Sequence, residues 1–151
     1  MTKKGRTALG LVVAAFLLIQ FMPVEKTNPP VEAELHAPAP VRAILRRSCY
    51  DCHSNETIWP WYSRVAPVSF FLAHDVVEGR RELNVSVWNR YEDKRRLRKF
   101  KEIIEQVGKK EMPPTIYTVV HRAAILTPED RKALMDWARA ESAAVGKPAG
   151  P

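Results

Sequence analysis

The chain has two cysteines, Cys49 and Cys52, and His53 follows the second directly. Three residues along a helix bring both sulfurs to one side, and the next residue is carried toward whatever lies against them. C-x-x-C-H is the spacing at which two thiols add to the two vinyl groups of a c-type haem, with the imidazole as proximal iron ligand. Three other chemistries compete. A thioredoxin-like dithiol expects a βαβ context, and nothing strand-rich surrounds Cys49. Zinc needs a fourth ligand, and three ligands within five consecutive residues cannot easily surround a tetrahedral ion. A structural disulfide across so short a loop contributes little and leaves His53 without a role. Covalent attachment of one haem is the reading these residues favour.

The sixth iron position then decides function, because an electron carrier fills both axial positions whereas a catalyst or gas sensor keeps one exchangeable. Met112 is the favoured distal ligand: it stands in Lys109-Lys110-Glu111-Met112-Pro113-Pro114, between two helical patterns, where prolines can hold a thioether at a fixed approach. His74 is the alternative, on a segment whose Val68, Phe71, Leu72, Val76 and Leu83 share one helical face. Met135 lies inside a helical pattern and reads as core, while His36 and His121 fall in loops. Trp59, Trp61, Tyr62, Phe70 and Phe71 read either as ordinary core or as a haem wall that lowers the local dielectric and raises the reduction potential.

The elements that must position these residues follow from periodicity. Pro40 to His53 reads as one helix, with Val41, Ile44, Leu45, Ser48, Cys49 and Cys52 on one side and Pro40 in the first turn. Asn84 or Ser86 is a candidate cap for a long helix carrying Leu97, Phe100, Ile103, Ile104 and Val107 on one face and ending at Gly108. Its other face bears Arg90, Lys94, Arg95, Arg96, Arg98, Lys99 and Lys101. This is a solvated face, or a docking surface for an acidic redox partner or anionic lipid headgroups. Arg80 and Arg81 extend it, or pair with haem propionates. Thr127 as N-cap, Pro128 at N1, and Glu129 and Asp130 in the first turn start a last helix. Its Leu134, Trp137 and Ala138 should cross the cysteine helix, Gly146 should end it, and Lys147 to Pro151 should fray.

Composition bounds the rest. The 151 residues allow one domain with appendages, 46% of them apolar, and 12 Pro against 6 Gly imply several fixed bends. The formal charge is +7, of which Lys3, Lys4 and Arg6 supply three, so the remaining excess does not imply nucleic-acid binding. No Gly-rich phosphate loop, nucleophile–base pair or internal repeat stands out. Thr7 to Val24 is uncharged and, as a helix, would span roughly 27 Å against a bilayer core of ~30 Å. With no good cleavage site after it, residues 1–24 read as an uncleaved transmembrane anchor, and the preceding cations place residue 25 onward in the periplasm. Residues 25–39, with Pro29, Pro30 and Pro38 and no apolar repeat, read as a tether reaching up to roughly 45 Å. Residues 40–147 then form the haem-binding domain.

With these residues in view, Cys49-x-x-Cys52-His53, Met112-Pro113 and the helix from Thr127 resemble the small monohaem c-type cytochromes. The run from Ser48 to Thr57, then Trp59-Pro60-Trp61-Tyr62-Ser63 and Ala66-Pro67-Val68-Ser69, resembles a bacterial haem-binding domain family of membrane-anchored proteins. The resemblance spans about residues 41–145 and implies an all-α, cytochrome c-like fold around one covalent haem. The expected function is a protein tethered to the inner membrane, facing the periplasm, that passes single electrons between redox proteins. A peroxidase-like enzyme or a gas or redox sensor with a labile sixth ligand is the alternative, and a thiol–disulfide protein without haem a third class.

Overall fold

The computed structural model describes residues 2–146, and all regular structure among them is helical. In order come α1 (Lys3–Ile19), α2 (Ala39–Ser48), α3 (Tyr50–His53), α4 (Val68–Glu82), α5 (Asp93–Gly108), α6 (Thr115–Val120) and α7 (Pro128–Val145), with short 3-10 turns at Trp61–Arg64, Trp88–Arg90 and Arg122–Ala124. The expected tail, residues 147–151, lies outside the described residues.

The core forms where α5, α7 and α2 meet. α5 contributes Phe100 and Val107, α7 contributes Leu134, Trp137 and Ala138, and α2 contributes Val41, Ile44 and Leu45, all buried. Phe100 meets Trp137 edge to face at 5.6 Å and Trp88 at 5.3 Å, and burying each such side chain stabilises the fold by about 1.5–3 kcal/mol. A reciprocal capping box sets the start of α7: Thr127 Oγ1 accepts the Asp130 N–H at 3.1 Å, and Asp130 Oδ2 accepts the Thr127 N–H at 3.0 Å. Asp130 also pairs with Arg47, so the same carboxylate ties α7 to the helix that leads into Cys49.

Four expectations are corrected. First, no helix among the described residues is long and apolar enough to cross a membrane, which overturns the transmembrane anchor and with it the single-pass inner-membrane, periplasm-facing placement. The uncharged run is not one helix: α1 stops at Ile19, so its apolar part from Thr7 spans roughly 20 Å, against ~30 Å of hydrocarbon. Gln20 ends it, its amide clasping the backbone of Ala66 from both sides, with Oε1 accepting the N–H at 2.9 Å and Nε2 donating to the carbonyl at 3.2 Å.

Second, residues 25–39 are no free tether. Leu35 and Ala37 are buried in the core, and the backbone pairs with residues 85–88: Leu35 N–H to Val85 O at 2.8 Å, Glu32 N–H to Ser86 O at 2.9 Å and Trp88 N–H to Ala33 O at 2.9 Å. The prolines keep this segment extended, which suits a lone bridge-forming strip. Third, the cysteine helix breaks. Cys49 adopts φ −130°, which separates α2 from α3. Fourth, α5 begins only at Asp93, after the Trp88–Arg90 turn, so neither Asn84 nor Ser86 caps it.

Candidate functional site

The break at Cys49 makes a tight turn around the two thiols. The Cys49 carbonyl accepts the His53 N–H at 2.9 Å and the Cys52 N–H at 3.3 Å, so both sulfurs stand one turn apart, and both are free thiols. Burial pushes Cys49 up to about 12, with Cys52 beside it adding to the shift. Burial, with Asp51 adjacent, pushes Cys52 up to about 11. Thiol–disulfide catalysis needs a thiolate near neutral pH, and these cysteines stay protonated there.

His53 is held by α4. Its Nδ1 lies 2.9 Å from the Gly79 carbonyl and 3.1 Å from the Leu83 carbonyl. Carbonyls only accept, so Nδ1 carries the proton and Nε2 the lone pair. Burial holds the imidazole below its ordinary value although both carbonyls favour the charged form, so the ring is neutral. A neutral imidazole oriented through Nδ1–H is the form that ligates a metal.

The close approach of α4 requires glycine at 79. A Cβ there would lie 2.5 Å from the Cys52 carbonyl oxygen. Sequence reasoning passed over Gly79, and the available signal was a lone glycine inside a helical pattern next to the motif. It also missed the polar shell behind His53. Asn84 Nδ2 donates to Asn55 Oδ1 at 2.8 Å and the Ser86 hydroxyl accepts the Asn55 N–H at 2.9 Å, while the Val85 N–H reaches the His53 carbonyl at 2.8 Å. Arg80 completes the shell through Ser54 O, Thr27 O, Asn28 Oδ1 and Thr57 Oγ1 at 2.7–2.9 Å. Four of its five N–H donors are spent on the protein, and Arg81 pairs with Glu78 and Glu82.

The other candidates are dispersed. Met112 lies on the loop after α5, partly exposed, with its N–H on Gln106 O at 3.3 Å and its carbonyl 3.5 Å from Arg131 Nη1. His74 is exposed, two residues from buried Val76 and thus on roughly the opposite side of α4. His36 is exposed, Met135 packs against the core, and His121 faces Tyr62. Of the aromatic stretch, Trp61 and Phe71 are exposed, while the Trp59 indole N–H is buried with no partner among the described residues.

The basic face of α5 is largely neutralised. Arg90, expected on this helix, lies in the turn before it and pairs with Glu32, while Arg96 pairs with Asp93 and Arg98 with Glu102. Lys99 is buried and pairs with Glu102 at 2.5 Å and Glu82 at 3.7 Å. Among the described residues, Lys94, Arg95 and Lys101 have no carboxylate partner.

These residues fit a haem. Two protonated thiols stand on one turn, a neutral imidazole offers Nε2, exposed apolar side chains (Ile58, Trp61, Phe71, Ile116) remain uncovered, and an orphaned indole N–H suits a carboxylate-bearing group. An all-helical domain whose polar interior is spent on orienting one imidazole beside two thiols is a domain for holding a prosthetic group. The family model for the haem-binding domain matches residues 14–140, and the chain belongs to that family. No curated protein and no solved structure matches it.

Proposed function

We propose that this protein is a c-type electron carrier holding one haem through thioether bonds to Cys49 and Cys52, with His53 as proximal ligand and Met112 as distal ligand. The observation that carries the reading is His53: its Nδ1–H is committed to the Gly79 and Leu83 carbonyls, which leaves Nε2 as the ligating atom. A haem bound there supplies a one-electron ferrous–ferric couple. The chain's own part is to hold the ring still, keep the imidazole neutral and present a few cations to a partner. Lys94, Arg95 and Lys101 are the docking cations of this reading, and the partner is an acidic redox protein whose encounter rate they raise.

The test is the absorption spectrum, oxidised and reduced, of the full chain made in a host that attaches c-type haem, beside Met112→Ala and His74→Ala. A red, low-spin wild type, with only Met112→Ala becoming high-spin and binding added imidazole or carbon monoxide, supports the reading. A wild type that is already high-spin and binds these ligands freely overturns it in favour of an enzyme or sensor with an exchangeable sixth position.

A further inference from the structure

Helix α6 has no buried residue, and Ile116, Val119 and Val120 are all more than half exposed. Apolar burial therefore does not fasten this segment to the domain. Its polar side does. Tyr117 Oη donates to Asp51 Oδ2 at 2.7 Å, and at the helix end Tyr62 Oη and His121 Nε2 are 2.6 Å apart. The Tyr117 and His121 rings stack, 4.3 Å between centroids and 13° between planes, so the two hydrogen bonds grip one rigid pair.

Asp51 is well chosen as the anchor. It lies between Cys49 and Cys52, its Oδ1 accepts the Ile58 N–H at 3.1 Å and its carbonyl accepts the Thr57 hydroxyl at 2.7 Å. Burial and then the bond to Asp51 push the Tyr117 phenol well up, so it remains a donor. At the other end of the loop, Lys110 takes the left-handed φ of 62°, the Glu111 N–H reaches Gln106 O at 3.0 Å, and Arg131 Nη1 donates to Val107 O at 2.9 Å. Met112 thus sits on a stretch pinned at both ends, followed by Pro113 and Pro114.

We infer that Tyr117, through its hydrogen bond to Asp51, is a positioning residue that holds the Met112 loop against the cysteine turn and sets how readily an external ligand displaces the methionine. The inference rests on the reading of Met112 as distal ligand. A hydrogen bond to an ionised carboxylate is among the stronger ones a side chain makes, and here it joins the loop to the turn that carries both cysteines.

The experiment titrates imidazole into the haem-loaded full chain and follows amide exchange across residues 115–121. For Tyr117→Phe the expected result is imidazole binding at least tenfold tighter than in wild type, approaching Met112→Ala. Asp51→Asn, which keeps one acceptor oxygen where the carboxylate uses two and removes the charge, falls between wild type and Tyr117→Phe. Wild-type imidazole affinity in Tyr117→Phe, while Met112→Ala binds tightly, overturns the inference. If Met112→Ala itself matches wild type, the methionine assignment fails, and amide exchange decides the clamp: faster exchange over 115–121 in Tyr117→Phe supports it, and unchanged exchange overturns it.

Discussion

Replacing Gly79 by alanine sets two effects of opposite sign against each other. In a helix interior such as that of α4, alanine is favoured over glycine by about 1 kcal/mol. Against that, the new methyl would sit 2.5 Å from the Cys52 carbonyl oxygen and 3.0 Å from the Cys52 carbonyl carbon and Cβ, about 1 Å inside ordinary contact for the closest pair. Two of the three atoms are backbone, so no rotamer change relieves the clash, and α4 must withdraw from α3. Overpacking of this kind costs about 1–3 kcal/mol. Withdrawal also stretches the 2.9 Å bond from His53 Nδ1 to the Gly79 carbonyl, which is worth about 0.5–1.5 kcal/mol. The expected net is a loss of roughly 1–3 kcal/mol in denaturant unfolding of the full chain, with unchanged m-value. Gly108→Ala is the control, because its methyl meets only Met135 Sδ at 3.5 Å, and it should be neutral or slightly stabilising. The reasoning is refuted if Gly79→Ala is as stable as wild type or gains the full helix-propensity increment.

Other outcomes follow from single contacts. The His53 imidazole is held below its ordinary value by burial, so the unfolded chain takes up a proton near pH ~6.5 while the folded one resists; the haem-free protein should be flat above that pH and lose up to about 1.4 kcal/mol per pH unit below it. Denaturation curves between pH 8 and 5 check this, and an equal slope in His53→Gln contradicts it. The bond from Arg47 holds the Asp130 carboxyl below its usual range, so its stabilisation is present at neutral pH and is lost as pH falls below about 4; Asp130→Asn, which keeps an acceptor for the Thr127 N–H but loses the ion pair, should cost about 1 kcal/mol at pH 7 and nearly nothing at pH 2. Lys110 holds a left-handed φ of 62° at the end of α5, so Lys110→Gly should raise thermal stability by about 0.5–1 kcal/mol whereas Lys110→Ala should not.

What can be read from this sequence and what cannot divides along chain distance. Cys49, Cys52 and His53 fall within five residues, so the haem binding that the family match supports is suggested by the letters themselves, and the start of α7, where Thr127 and Asp130 cap each other across three residues, is equally local. The face of α5 that buries Phe100 follows from periodicity in the same way. The groups that orient the site come from elsewhere: the carbonyl that takes the His53 proton is 26 residues along the chain, and the phenol that grips Asp51 is 66. No spacing rule reaches them, and a backbone carbonyl has no letter of its own. Asn84 and Ser86 carry the cap-forming side chains that a helix start wants, yet both side chains are spent on Asn55, and the Asn84 Oδ1 also accepts the Ser86 N–H. Residues 25–39 look like a tether because an isolated bridge to residues 85–88 needs only backbone groups, which any sequence supplies. The uncharged run misleads for a related reason, since hydropathy counts residues without seeing that the Gln20 amide has a backbone at Ala66 to bind. The local motif therefore points to the prosthetic group, while the distant partners orient His53 through Nδ1 and tie the segment after Met112 to the cysteine turn; on the proposed reading of Met112, it is these that govern how tightly the sixth position is closed.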